Sequence, residues 1–168
     1  DDKVLLIGQE SYQSFSLKQL FLTPINRVEY LPLRDLTYII DYLIWGWNPF
    51  GFHLANLILY LLNIWVVFKF ANSLNSTVFS TGNSKDANVA LWRALVTAAL
   101  FVVLPIHSEV VSFIHGRNVL LSGFFFFLSC IYFLKFIDIK LRRYFVISFV
   151  MFLFALLSKA TVIILPLI

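Results

Sequence analysis

With a single cysteine, Cys130, in 168 residues, the chain has no partner for an intrachain disulfide. That cysteine lies inside an apolar run and says nothing about redox compartment. Charge is also scarce: only 13% of residues are Asp, Glu, Lys or Arg, for a net charge of +4. The cations are scattered or flank apolar segments, so the basic stripe that tracks a nucleic acid is missing and such a partner is excluded. No internal repeat and no low-complexity linker divides the chain. It starts at Asp1 and its last apolar run stops at Ile168 without a flank, so it reads as a piece of something longer, in which no leader peptide can be sought.

What is abundant is apolar. Hydrophobic residues make up 60% of the chain and Phe alone accounts for 19 positions, against roughly 45–50% apolar residues in soluble domains. The excess comes in long blocks, which predicts an integral membrane protein. The fold class expected is all-α: a polytopic transmembrane helix bundle with an extracytoplasmic first loop that carries short interfacial helices. Residues 1–50 form that loop. Within it, the segment 14–21 suits a short amphipathic helix lying on a membrane surface, stopped by Pro24. The segment 33–45 suits a second helix, with Leu36, Ile39, Ile40, Leu43 and Ile44 at helical spacing. Arg34, Asp35 and Asp41 make it too polar to span, which predicts an interfacial or re-entrant position. Trp45, Trp47 and Phe50 mark the interface, and Gly46-Trp47-Asn48-Pro49-Phe50-Gly51 is a turn signal that closes the region.

Four full spans follow, at about 52–71, 89–106, 119–137 and 144–157, with the start of a fifth at 160–168. Each is measured against the ~20 residues that a ~30 Å hydrocarbon core requires, and the fourth is short. A polar loop is expected over 72–88. The basic turn at 138–143 sets the orientation, because Lys and Arg are retained on the cytoplasmic side. Residues 1–50, the stretch 107–117 and Lys159 then collect on the non-cytoplasmic face.

The stretch from Leu104 to Arg117 is the polar exception between two apolar runs. It places His107, Glu109, His115 and Arg117 within eleven positions. Ionisable groups near a bilayer usually face a cavity, pair or do chemistry. As a helix, the stretch would carry Ser108, Ser112 and His115 on one face, flanked by His107 and Glu109. A connecting loop with solvated charges is the plain alternative. His107 and Glu109 are metal-ligand types without a clear third, so no metal site is assigned, and a divalent ion stays open as a cofactor. Lys159 stands alone amid apolar sequence, where it either snorkels to headgroups or meets a phosphate. A carboxylate can serve as general base toward a hydroxyl, while Arg and Lys stabilise phosphate. Together they suit transfer from a phosphate-bearing lipid.

An ordered set of short motifs adds to this reading. Asp1-Asp2, Tyr30-Leu-Pro-Leu33, Trp45-Gly-Trp-Asn-Pro49, His53-Leu-Ala-Asn56, Pro105-Ile-His-Ser-Glu-Val110, Gly116-Arg-Asn118 and Leu157-Ser-Lys159 follow one another along nearly the whole chain. In that order they resemble the membrane part of the C-type glycosyltransferases, above all the transmembrane-and-tetratricopeptide O-mannosyltransferases and their bacterial relatives. The resemblance implies an inverting transferase that moves a mannose-like sugar from a polyprenyl- or dolichyl-phosphate donor to a hydroxyl of a protein or glycan. The transfer would take place on the non-cytoplasmic face of a bacterial inner membrane or of the endoplasmic reticulum. It implies Asp1 or Asp2 as the catalytic base, with Glu109 as a further catalytic carboxylate and His107 and His115 supporting it. Arg117, Lys159 and Arg34 would then bind the donor phosphate. Two positions depart from the family pattern: Leu31 stands where arginine is common, and Ala160 where a carboxylate follows the lysine. The alternative function is a polytopic transporter or lipid-handling protein without catalysis. Against it, the second to fourth spans lack mid-membrane charges, and no pair of broken helices suggests an alternating-access site.

Overall fold

The computed structural model describes residues 30–79, 84–104 and 113–167, and the described residues are helical with no strand. Among the described residues there are five α-helices: α1 Pro32–Trp45, α2 Pro49–Phe79, α3 Ser84–Val103, α4 Arg117–Ile139 and α5 Arg142–Ser158. A 3₁₀ turn, Ile114–Gly116, leads into α4, and a 3₁₀ helix, Ala160–Leu167, follows α5.

Local chemistry fixes the joints. Pro32 opens α1 with its pre-set φ, and Asp35 sits in the first turn where the helix dipole favours an acid. Gly46 ends α1 at φ 60°, which a residue without a Cβ adopts at no cost, and its N–H returns to the Tyr42 carbonyl at 2.8 Å. Asn48 then accepts the Phe50 N–H on its side chain at 3.1 Å, and Pro49 occupies the first turn of α2. Gly51 is required by a close approach, since a Cβ there would lie 2.3 Å from the Trp45 side chain.

The helices pair along their lengths. α2 and α4 run parallel: Asn56 meets Phe113, Asn63 meets Leu120, Phe70 meets Phe127 and Thr77 meets Asp138. Asn63 donates both to its own Leu59 carbonyl at 2.8 Å and to the Leu120 carbonyl at 2.9 Å. A Cβ at Gly123 would crowd its side-chain oxygen at 3.1 Å, so the small residue permits the approach. α4 and α5 form an antiparallel hairpin clasped by two serines. The Ser129 hydroxyl donates to the Ser148 carbonyl and the Ser148 hydroxyl to the Ser129 carbonyl, both at 2.9 Å. α3 returns along α2, with the Tyr60 hydroxyl reaching the Val102 carbonyl at 3.3 Å.

These pairings give the bundle two distinct ends. The starts of α2 and α4, the end of α3 and the end of α5 share one end. The Lys140–Leu141 turn, Thr77 and Asp138 share the other. α1 packs across the first end, against α2, α4 and α5.

The sequence-based boundaries shift in informative ways. Two stretches, Pro49–Thr77 and Ile114–Ile139, are long and apolar enough to cross a membrane, and the apolar part of α3, Asn88–Val103, is shorter. α2 runs on through the first half of the expected polar loop. It can do so because Asn75 and Ser76 bond back to the Ala71 and Ser73 carbonyls, and Thr77 to Asp138, so their polarity is spent on helix and neighbour. α1 matches the expected helix within a residue. The segments 1–29 and 105–112, which include the proposed helix at 14–21, lie outside the described residues.

Candidate functional site

α1 is arranged inside out. Arg34, Asp35 and Asp41 are buried, whereas Ile40, Leu43 and Ile44 are exposed. Arg34, Tyr38 and Asp41 fall at i, i+4 and i+7, one face of the helix, and that face is turned to the bundle. Ile39 is the apolar residue of the expected stripe that is fully enclosed, beside Tyr38 and Phe52, with Leu36, Tyr42, Trp47 and Ile114 packed around them.

Arg117 sits at the centre of this end and is fully buried. Its Nη1 is ion-paired and hydrogen-bonded to Asp41 Oδ2. Its Nη2 donates to the Phe52 carbonyl at 2.8 Å and its Nε to Asn56 Oδ1 at 2.8 Å. Asn56 in turn donates to the Phe113 carbonyl at 3.2 Å, and the Tyr38 hydroxyl to the Ile114 carbonyl at 2.7 Å. The Arg117 guanidinium carbon lies 4.7 Å from the Tyr38 ring centre and that of Arg34 lies 5.9 Å from it. Arg34 bonds Asp35, Nε to Oδ1 at 2.9 Å. Burial pushes the Asp41 carboxyl above the ordinary carboxylate range, and the Arg117 charge and hydrogen bond pull in the opposite direction.

One cation, Arg117, therefore ties together α1, α2 and α4, and through Asn56 the strand of chain entering α4. Two of the expected phosphate ligands, Arg34 and Arg117, are 1% and 0% exposed. A donor phosphate would have to displace Asp41 to reach Arg117, so the geometry gives this arginine an organising part. Lys159 differs. It caps α5, its N–H bonding the Ala155 carbonyl at 3.0 Å, and it is half-buried. Among the described residues its ammonium makes no hydrogen bond or ion pair. The antiparallel register set by Ser129–Ser148 and Phe125–Phe154, continued toward the α4 start, brings the residues just after Ser158 level with Arg117. Arg34, Arg117 and Lys159 thus share one end of the bundle. His115 lies at the same end, exposed, in the 3₁₀ turn.

Asp1, Asp2, His107 and Glu109 lie outside the described residues. The chain nevertheless leaves α3 at Leu104 and re-enters at Phe113 on that same end. Among the described residues no group of three His, Cys, Asp or Glu could hold a metal ion. Of the residues gathered here, Tyr38 was not singled out from the sequence; Asp41 was noted there for its polarity and Asn56 as part of the His53–Asn56 motif. The signal for Tyr38 was present: Arg34, Tyr38 and Asp41 at one helical face mark polar residues that need a common partner.

No family model matches the chain, and no solved structure matches it. Curated proteins do. The chain is 31% identical over 121 residues, 66% of its length, to Protein O-mannosyl-transferase Tmtc3 of Drosophila melanogaster, covering 13% of that protein. It is 35% identical over 102 residues, 60% of its length, to Protein O-mannosyl-transferase TMTC4 of Homo sapiens, covering 14%. Over 106 residues, 63% of its length, it is 37% identical to Protein O-mannosyl-transferase tmtc2 of Xenopus laevis, covering 11%. The resemblance expected from the ordered motifs is thus found in the comparison with curated proteins, and the chain spans about an eighth of the length of these relatives.

Proposed function

We propose that this chain is the donor-side portion of a membrane mannosyltransferase, acting at the end of the bundle where α1, the start of α4 and Lys159 lie together. The observation that carries the reading is the likeness to relatives named as protein O-mannosyl-transferases. The shared position of Lys159 and the buried arginine cluster at one end supports it. The donor is a polyprenyl-phosphate sugar and the acceptor a protein hydroxyl, on the non-cytoplasmic face of the endoplasmic reticulum or an equivalent membrane.

In this reading Asp1 or Asp2 takes the proton from the acceptor hydroxyl. The hydroxyl oxygen bonds to the anomeric carbon as the carbon–oxygen bond to the phosphate breaks, which inverts the configuration. The phosphate leaves as an anion, and Lys159, a cation with no partner of its own among the described residues, stabilises its developing charge. Glu109 is the further catalytic carboxylate of this reading, with His107 and His115 supporting it. Arg117 is a positioning residue: it holds α1 against α2 and α4 through Asp41, the Phe52 carbonyl and Asn56, while Arg34 is enclosed on the same face of α1 beside Asp35 and Tyr38.

The test is sugar transfer by the full-length protein from a polyprenyl-phosphate mannose donor to a hydroxyl-bearing acceptor peptide. Asp1→Asn and Asp2→Asn are measured separately, and one of them is expected to abolish turnover with the protein still folded. Full turnover in both removes the base mechanism. Lys159→Ala is expected to lower kcat at least tenfold, because it removes a charge that acts as the phosphate departs.

A further inference from the structure

We propose that the groove between α2, α4 and α5 at the opposite end of the bundle is a binding site for an anionic phospholipid, with its acyl chain in the groove and its headgroup on the Lys140–Arg143 turn. The groove has a volume of about 590 Å³ and is lined by apolar side chains, among them Phe70 and Leu74 of α2, Cys130 and Ile137 of α4, and Phe145 and Phe152 of α5. Ile137 and Phe145 are about half exposed at the mouth, with the Phe145 ring also packed against that of Phe136 at 5.4 Å. The stretch of α4 from Cys130 to Ile137 rises about 10 Å. That lies within one leaflet of a ~30 Å hydrocarbon core, so the groove has the depth of an acyl chain and not of a spanning helix.

The mouth decides which occupant fits. Ile137 and Phe145 flank the turn on which Lys140, Arg142 and Arg143 are all exposed. The Arg143 guanidinium is steadied over the Tyr144 ring at 4.9 Å, and the Lys135 ammonium over the Tyr132 ring at 5.2 Å. The one acid in this stretch, Asp138, has its carboxylate bonded by Thr77 at 2.9 Å on the α2 side. Three exposed cations thus stand on the turn beside the mouth of an apolar slot, with Lys135 further down α4 and a single acid near them. A headgroup of net negative charge above an apolar tail matches that arrangement, whereas a zwitterionic lipid has no net charge to offset the cations. None of these residues belongs to the sugar-transfer end, so the proposal holds or fails independently of that reading.

The experiment is native mass spectrometry of the full-length protein in mild detergent, challenged with an equimolar mixture of phosphatidylserine and phosphatidylcholine. Preferential retention of phosphatidylserine is expected. The double variant Arg142→Gln/Arg143→Gln should reduce that preference by roughly fivefold for each charge removed. Leu74→Trp narrows the groove and keeps every cation, and it should reduce phosphatidylserine retention as well; a purely surface attraction to the basic turn would be indifferent to it. Leu74 and both arginines are exposed, and thermal unfolding of each variant confirms that the fold is intact. Equal retention of the two lipids by the unaltered protein, or a preference that survives the double variant, overturns the proposal. Indifference to Leu74→Trp overturns it too, since the groove would then play no part.

Discussion

The two ends of the bundle treat charge in opposite ways. At the α1 end, Arg34, Asp35, Asp41 and Arg117 are buried. At the α4–α5 turn, Asp138, Lys140, Arg142 and Arg143 are exposed. The difference follows from what each end has to hold. The α4–α5 turn is already closed by backbone: Lys140 adopts φ 56°, its N–H reaches the Phe136 carbonyl at 2.8 Å, and the Tyr144 N–H reaches Leu141 at 3.0 Å. Its charges are spare. The α1 end must join a short helix to its neighbours, and one guanidinium does so by reaching from α4 to both α1 and α2 with its fixed fork. A buried charge so satisfied is held tightly, because removing its partner strands the other group in a poorly solvating interior.

The sharpest way to break the contrast is Arg117→Met. It should destabilise the protein by roughly 3–5 kcal/mol, since Asp41, Asn56 and the Phe52 carbonyl all lose their partner. Thermal unfolding in detergent measures it, and a loss below 1 kcal/mol would mean the end is held by apolar packing instead. Tyr38→Phe removes one hydrogen bond, to Ile114, and should cost about 1 kcal/mol in the same assay.

Asp41→Asn should cost less than Arg117→Met, because burial already disfavours the ionised carboxylate and the amide escapes that cost. The sign is checked through linkage. A carboxyl whose folded value is raised above its ordinary 3.8 lends its stabilisation fully below that value, and loses it as pH rises through the folded one. Unaltered protein should therefore gain stability as pH falls through that window, and the Asn variant should lack this slope; parallel pH profiles would show that Asp41 is not the group responsible. The smallest effect belongs to the other end: Arg142→Gln should change stability by less than about 0.5 kcal/mol. A loss equal to that of Arg117→Met would erase the distinction between the ends.

The conspicuous polar residues were legible from the sequence, and their employment was not. Arg34 and Arg117 stood out as costly charges that needed a reason, and the reason read first was a phosphate. The packed structure supplies a nearer one for Arg117, an aspartate 76 residues away in sequence. Pattern reading showed the apolar stripe of 33–45 at helical spacing but not which way it faces. Where the surroundings are apolar, Ile40, Leu43 and Ile44 can face outward at no cost, and it is Arg34, Asp35 and Asp41 that must be enclosed. Lys159 was read the same way, and among the described residues nothing occupies its ammonium.

The amino-acid order by itself determined the helical class, the presence of two helices long and apolar enough to cross a membrane, and the turns at Gly46–Pro49 and 138–143. These depend on hydrogen bonds and φ values within a few residues. Which charges are neighbours was decided only when α1 folded across the starts of α2 and α4. An ion pair between distant residues has no local signature: its energy exists only once both groups have left water together, and that requires the tertiary contact.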